Sequence, residues 1–81
     1  MLTAYIGAAM KRARYEILKE DGTYVGTIPG FQGVWANAKT LEDCRQELQE
    51  VLEDWIVVGL RLGHELPEID GLKFATLKEA V

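Results

Sequence analysis

One apolar stripe constrains the fold of this chain more than any other feature of its sequence. Its members follow one another at alternating spacings of three and four residues: Leu41, Cys44, Leu48, Val51, Trp55, Val58 and Leu62. This spacing predicts a helix of about six turns with one apolar face, which Leu52 and Ile56 widen. Thr40 supplies a capping oxygen in front of the stripe, and Gly63 and Pro67 end it. We therefore predict a long helix over residues 40–63.

The second half of this helix differs from the first, because residues 55–60 are apolar on all sides. A helix of that kind is buried on all sides, and a chain of 81 residues has too little protein to cover it alone. Gly59 costs about 1 kcal/mol relative to alanine in a helix, and the close approach of another backbone would explain it. We therefore expect a homo-oligomer, a dimer or a tetramer, whose interface contains Trp55, Ile56, Val58, Gly59 and Leu62.

Shorter elements flank the long helix. An Asp-Gly pair at residues 21–22 predicts a hairpin turn, and Pro29 ends the strand that follows it. The sequence thus predicts an α+β fold, in which a small antiparallel meander sheet packs against the long helix in a single domain, residues 1–81. Its predicted elements are an N-terminal helix (1–13), a three-stranded meander (14–39), the main helix (40–63) and a last strand at the sheet edge (72–77).

Few residues are suited to chemistry. Cys44 and His64 are the only residues of their types, and Cys44 falls on the apolar stripe. The acidic residues follow the exposed side of the helix and do not converge as a metal site requires. We expect no enzyme, no catalytic residue, no metal and no cofactor. No apolar stretch reaches the about 18 residues of a membrane span, and the single thiol is typical of the cytoplasm, where we expect the protein to work.

The net charge of −4 is unevenly distributed. Residues 42–54 contain six acids and one base, whereas residues 1–19 sum to +3. The acidic side of the helix is either a plain solvated face or a surface for a basic partner, and the predicted contacts are Trp35, Glu42, Glu50 and Glu53. Three basic residues are candidates for weak nucleic-acid binding instead: Lys11, Arg12 and Arg14. An overall acidic chain is a poor match for DNA, so we do not expect direct DNA binding.

Several motifs in the stretch from residue 14 to residue 71 resemble the HicB-like antitoxin family. They are Tyr15-Glu16-Ile17, Gly22-Thr23-Tyr24-Val25-Gly26, Ile28-Pro29-Gly30-Phe31-Gln32-Gly33-Val34, Thr40-Leu41-Glu42-Asp43-Cys44 and Glu65-Leu66-Pro67. The resemblance implies a partial ribonuclease H-like fold that assembles into homo-oligomers.

The resemblance also implies a function. Such proteins are not enzymes, and they bind and occlude a small basic ribonuclease toxin of the HicA type. Many of them carry a further C-terminal DNA-binding module, but only about ten residues follow Gly71 here, so we expect none. A free-standing oligomeric binding protein without a toxin partner is the alternative.

Overall fold

The computed structural model describes residues 2–72. Its elements are, in chain order, α1 (Leu2–Lys11), β1 (Arg14–Ile17), β2 (Tyr24–Thr27), β3 (Trp35–Ala38) and α2 (Leu41–Arg61). The three strands form an antiparallel sheet in the order β1-β2-β3. This architecture confirms the predicted α+β fold with a meander and one long helix. The strand predicted at residues 72–77 lies outside the described residues except for Leu72, which forms an isolated bridge with Ile69.

Local chemistry sets the turn and the helix start. In the turn between β1 and β2, the Asp21 carboxylate accepts hydrogen bonds from the backbone N–H and the hydroxyl of Thr23, at 3.0 and 2.7 Å. These bonds stabilise the charged form and lower the pKa of Asp21. At the start of α2, the Thr40 hydroxyl oxygen accepts from the Asp43 N–H at 3.0 Å. The predicted helix cap is therefore confirmed.

The strand register divides the sheet into two faces. Tyr15, Gly26 and Ala36 are directly opposite one another across the three strands. Gly26 and Ala36 are buried, and α2 packs on this face. Successive residues of a strand point to opposite faces, so the neighbouring row, which includes Trp35, lies on the outer face. Trp35 is 59% exposed, because no element of residues 2–72 covers that face.

The buried line along α2 corrects the predicted stripe. The buried residues of the helix are Cys44, Leu48, Leu52 and Ile56, spaced four apart. By contrast Leu41, Val58 and Leu62 are 47%, 54% and 64% exposed. A step of four residues is about 40° more than one full helical turn. The buried line therefore winds slowly around the helix and departs from the predicted heptad stripe.

Ile56 shows the consequence of this winding most clearly. We predicted it at an oligomer interface, but it is 1% exposed and belongs to the chain's own core. At this level the core continues beyond the sheet, with Phe31, Leu66 and Ile69 as members. The Phe31 and Trp55 rings have their centroids 5.1 Å apart. The connection between β2 and β3 and the segment after α2 therefore cover one side of the helix end.

Contacts distant in sequence hold α1 in place. Tyr5 is fully buried, and its ring meets the Phe31 ring edge-on with the centroids 6.2 Å apart. Its hydroxyl donates to the Pro67 carbonyl at 2.5 Å. The Arg12 guanidinium forms an ion pair with the Asp70 carboxylate. The first helix is thus tied to the segment that follows α2.

Candidate interaction surfaces

The acidic face of α2, defined here as Glu42, Glu50 and Glu53, is the first candidate surface. Glu42 and Glu53 are eleven residues apart, about three helical turns, so they lie along one line of the helix. All three are exposed, since the buried line of α2 runs on the other side. The Gln49 amide donates to the Glu53 carboxylate at 3.2 Å. Three further exposed acids flank this face: Asp43, Glu47 and Asp54.

Two cations border this face, Arg45 and Lys11, but neither forms an ion pair with its carboxylates within residues 2–72. Within residues 2–72 the one ion pair is Arg12–Asp70, and it does not involve α2. The one base between residues 42 and 54 is Arg45. Arg45 lines a surface groove together with Glu42, Glu50 and Glu53. Burial raises the pKa of Tyr15, and the Arg45 charge acts in the opposite direction. The acidic face therefore presents several like charges to solvent.

Trp35 does not join the acidic face, although we predicted it as a contact of the same partner. Its neighbours across the sheet are Thr27 and, one strand further, Arg14. This row belongs to the outer face of the sheet, whereas α2 packs on the inner face. The edge of β3 lies between the two surfaces, because Asn37 and Ala38 line a groove together with Glu50.

The three basic residues predicted as nucleic-acid contacts have different surroundings. Lys11 lines a groove between α1 and α2 together with Arg45 and Glu53. Arg12 is paired with Asp70. Arg14 belongs to the outer row of the sheet. The three cations therefore differ in their immediate neighbours.

The apolar end of α2 is the second candidate surface. Trp55, Val58, Gly59 and Leu62 line a groove of about 290 Å³. A Cβ built on Gly59 would lie 3.1 Å from the Cδ2 atom of Leu66. The side chain that approaches this glycine therefore comes from the same chain. The sequence patterns did not indicate this role of Leu66, because it lies beyond the helix.

The single cysteine lies in the core between the sheet and α2. Cys44 is fully buried, and its Sγ lies 3.6 Å from the carbonyl oxygens of Tyr24 and Ala36. Burial raises the pKa of its thiol. In the part of the chain that the structure describes, no three His, Cys, Asp or Glu residues are grouped to hold a metal ion.

The helices of residues 2–72 do not meet the requirements of a membrane span. Neither α1 nor α2 combines the necessary length with a sufficiently apolar composition.

Comparisons with known proteins give two similarities. A family model described as UPF0150-like matches residues 4–67. The crystal structure of TTHA0281 from Thermus thermophilus is similar to this chain, with 43% sequence identity over 90% of each chain and a TM-score of 0.82. A search of the curated proteins found no match.

Proposed function

Because the chain belongs to the UPF0150-like family, we propose that it is an antitoxin-like protein-interaction module of the HicB-like kind. It binds a small basic ribonuclease of the HicA type in the cytoplasm and blocks the surface with which that enzyme contacts RNA. The protein itself catalyses no reaction. The observation that carries this proposal is the acidic face of α2.

Electrostatics support the choice of partner. A ribonuclease needs a basic surface to hold the phosphate backbone of RNA. A row of exposed carboxylates that forms no ion pair within residues 2–72 offers such a surface a competing set of negative charges. Since the acids lie on a rigid helix, their spacing is set before the partner arrives, which lowers the cost of ordering on binding.

The test is co-expression with a small basic protein encoded beside this gene. We expect the wild-type chain to restore growth and to co-elute with its neighbour. The triple variant Glu42→Lys, Glu50→Lys, Glu53→Lys should weaken the complex by about a hundredfold, because three attractive contacts become repulsive. Surface substitutions of this kind usually change stability by about 0.5 kcal/mol or less each, so the variant should still fold.

Two control variants separate the acidic face from the rest of the surface. Glu16→Lys changes the same charge on an exposed residue of β1 and should leave binding intact. Trp35→Ala removes the exposed ring of the outer sheet face and should also leave binding intact. No complex and no growth rescue with the wild-type chain would contradict the proposal. Full binding by the triple variant would contradict the assignment of the acidic face.

The uncovered apolar end of α2 favours a second candidate, a free-standing oligomeric binding protein without a toxin. An oligomer that never binds the neighbouring gene product would support this candidate. Nucleic-acid binding has less support, because Arg12 is already paired with Asp70 and Lys11 lines a groove with Glu53. Flat titration curves with RNA at low salt are the result we expect.

A further inference from the structure

The edge of the sheet at β3 is open in the described chain. The strand order is β1-β2-β3, so β3 has a neighbouring strand on one side only among residues 2–72. An edge strand presents unpaired backbone groups, and proteins usually protect it with proline, charged side chains or a bulge. The four residues of β3 include neither proline nor a charged residue, and the register with β2 is unbroken. By contrast β1, the other edge strand, contains Arg14 and Glu16.

The hydrogen-bond pattern of the sheet identifies the backbone groups that point to each side. The Leu18 N–H donates to the Thr23 carbonyl at 2.8 Å, so these two residues, which continue the β1–β2 register, occupy a hydrogen-bonded position of the ladder. Such positions alternate with non-bonded ones along an antiparallel pair. The next pair, Ile17 and Tyr24, is therefore non-bonded, and Tyr24 directs its backbone groups toward β3. The same holds for Gly26, two residues further along β2.

This alternation leaves two residues of β3 with unpaired backbone groups. The β3 partners of Tyr24 and Gly26 are Ala38 and Ala36, and these alanines use their backbone groups within the sheet. The alternate residues, Trp35 and Asn37, therefore direct their N–H and C=O groups to the free edge. No further backbone hydrogen bond of either is present in the described chain.

One side of this edge is negatively charged. A groove of about 380 Å³, called here the β3-edge groove, is lined by Asn37 and Ala38 from β3 and by Asp43, Glu47 and Glu50 from α2. The three acids are exposed, and none of them forms an ion pair with another residue of the range 2–72. The groove is therefore suited to cationic side chains.

An extended basic segment fits both the open edge and the β3-edge groove. Successive side chains of a strand point to opposite faces, so those on one face repeat about every 6.7 Å. Asp43 and Glu47 are four residues apart, about 6 Å along α2. A strand paired with β3 would therefore direct every second side chain toward the groove at a spacing comparable to that of the acids.

The same charges disfavour a second copy of this chain as the added strand. Pairing of two β3 strands around a two-fold axis perpendicular to the sheet would bring two β3-edge grooves together on the same side of the extended sheet. Like charges at such short range repel each other. The chemistry of the edge thus selects a basic strand.

We propose that the free edge of β3 takes up an extended basic segment of the partner protein as an additional strand. Its backbone bonds to Trp35 and Asn37, and its lysine or arginine side chains enter the β3-edge groove. This inference rests on the proposed function for the identity of the partner, a small basic ribonuclease. The backbone of Trp35 makes the contact, so loss of its ring leaves binding intact.

Amide hydrogen exchange followed by nuclear magnetic resonance tests the backbone pairing. In the free chain, the N–H groups of Trp35 and Asn37 should exchange rapidly, whereas those of Ala36 and Ala38 should be protected by the sheet. In the complex with the small basic protein encoded beside this gene, exchange at Trp35 and Asn37 should slow by about tenfold or more. The two alanines are the internal control and should change less.

A proline variant tests the same contact through affinity. Asn37→Pro removes the N–H that points to the free edge, where proline is tolerated because no bond within the sheet is lost. It should raise the dissociation constant of the complex about tenfold. Asn37→Ala is the matched control, since it removes the same side chain and keeps the N–H, and it should stay within about threefold of the wild type.

A pair of charge variants tests the β3-edge groove. Glu47→Lys should raise the dissociation constant about tenfold, because an attractive contact becomes repulsive. Asp54→Lys makes the same change of charge about two helical turns further along α2, outside the groove lining, and should stay within about threefold of the wild type. If circular dichroism shows that Asn37→Pro does not fold, this pair and the exchange measurement still decide the question.

A synthetic probe separates this inference from the proposed function. The probe is a capped hexapeptide of alternating lysine and threonine, and its control has glutamate in place of lysine. If the neighbouring protein does not bind, the proposed function fails. Slower exchange at Trp35 and Asn37 with the lysine peptide alone would then support the edge site, and unchanged exchange would overturn it.

Two further results would overturn the inference. A bound neighbouring protein that leaves both edge amides unprotected excludes the added strand, although the proposed function stands. Protection of both amides in the free chain shows that residues 73–81 or a second copy already occupies the edge.

Discussion

Gly26 is a residue at which the sheet and α2 pack tightly against each other. A Cβ built at this position would lie 2.9 Å from Cε1 of Tyr15 and 3.2 Å from Sγ of Cys44. Both neighbours are held by their own surroundings: the thiol is fully buried between two carbonyls, and the tyrosine lies directly opposite Gly26 in the sheet. A small residue is needed here for packing, and the conformation of the strand does not require glycine.

Gly26→Ala should therefore destabilise the protein. We expect a loss of about 1–3 kcal/mol in the free energy of unfolding, because the added methyl group forces Tyr15 or Cys44 out of place. Urea denaturation followed by circular dichroism measures this change.

Gly7→Ala is the matched control for this substitution. A Cβ at Gly7 meets no heavy atom within 4 Å, and the residue lies inside α1. The same chemical change should stabilise the protein by about 0.5–1 kcal/mol through helix propensity. If Gly26→Ala were as stable as Gly7→Ala, the close packing of β2 against α2 would be wrong.

Among the elements, α2 contributes both to the core and to the two candidate interaction surfaces. Its buried line supplies four core residues, its acidic face is the proposed contact for a basic partner, and its apolar end is the predicted contact for a second copy. These three roles occupy different sides or ends of one helix of 21 residues. The start of this helix is fixed by the Thr40 cap, so the cap influences the position of all three surfaces.

Loss of the cap should destabilise the helix start. Thr40→Ala removes the oxygen that accepts from the Asp43 N–H, and we expect a cost of about 1 kcal/mol in the free energy of unfolding. Thermal unfolding followed by circular dichroism in the far ultraviolet, which reports helix content, measures the effect.

The conservative variant tests whether the hydroxyl is the cause. Thr40→Ser keeps the oxygen and should retain nearly the full stability. Equal destabilisation by Thr40→Ala and Thr40→Ser would show that the methyl group, and not the cap, matters at this position.

At the scale of the whole molecule, contacts between distant segments join the first helix to the chain that follows the last one. The Tyr5–Pro67 hydrogen bond spans 62 positions, and the Arg12–Asp70 ion pair spans 58. The tyrosine is buried, whereas the ion pair is about half exposed on both sides. We therefore expect the tyrosine to contribute more to stability than the ion pair does.

Removing both the Tyr5–Pro67 hydrogen bond and the Arg12–Asp70 ion pair should loosen α1 selectively. Tyr5→Phe should cost about 1 kcal/mol, and Arg12→Ala between about 0 and 1 kcal/mol because solvent screens the pair. In the double variant, amide hydrogen exchange in α1 should accelerate by about tenfold, while the middle of α2 changes little. An equal acceleration in both helices would show that α1 and α2 unfold as one unit.

Much of the fold was predictable because its signals are local. The period of the apolar residues, the Thr40 cap and the turn at Asp21 act over a few neighbouring positions, so they indicated the helices, the meander and the acidic side of α2. The predicted fold class is confirmed for that reason.

The tertiary structure decided how these elements face one another. It selected the four-residue line that buries Ile56, and it placed Trp35 on the outer face of the sheet, away from the face on which α2 packs. It also gave Arg12 a carboxylate partner 58 positions away. None of these outcomes follows from local spacing, because each depends on the register and packing of segments that meet only in the folded chain. The amino-acid sequence by itself thus determined the elements and their charge, and the packing determined which of their residues share a surface.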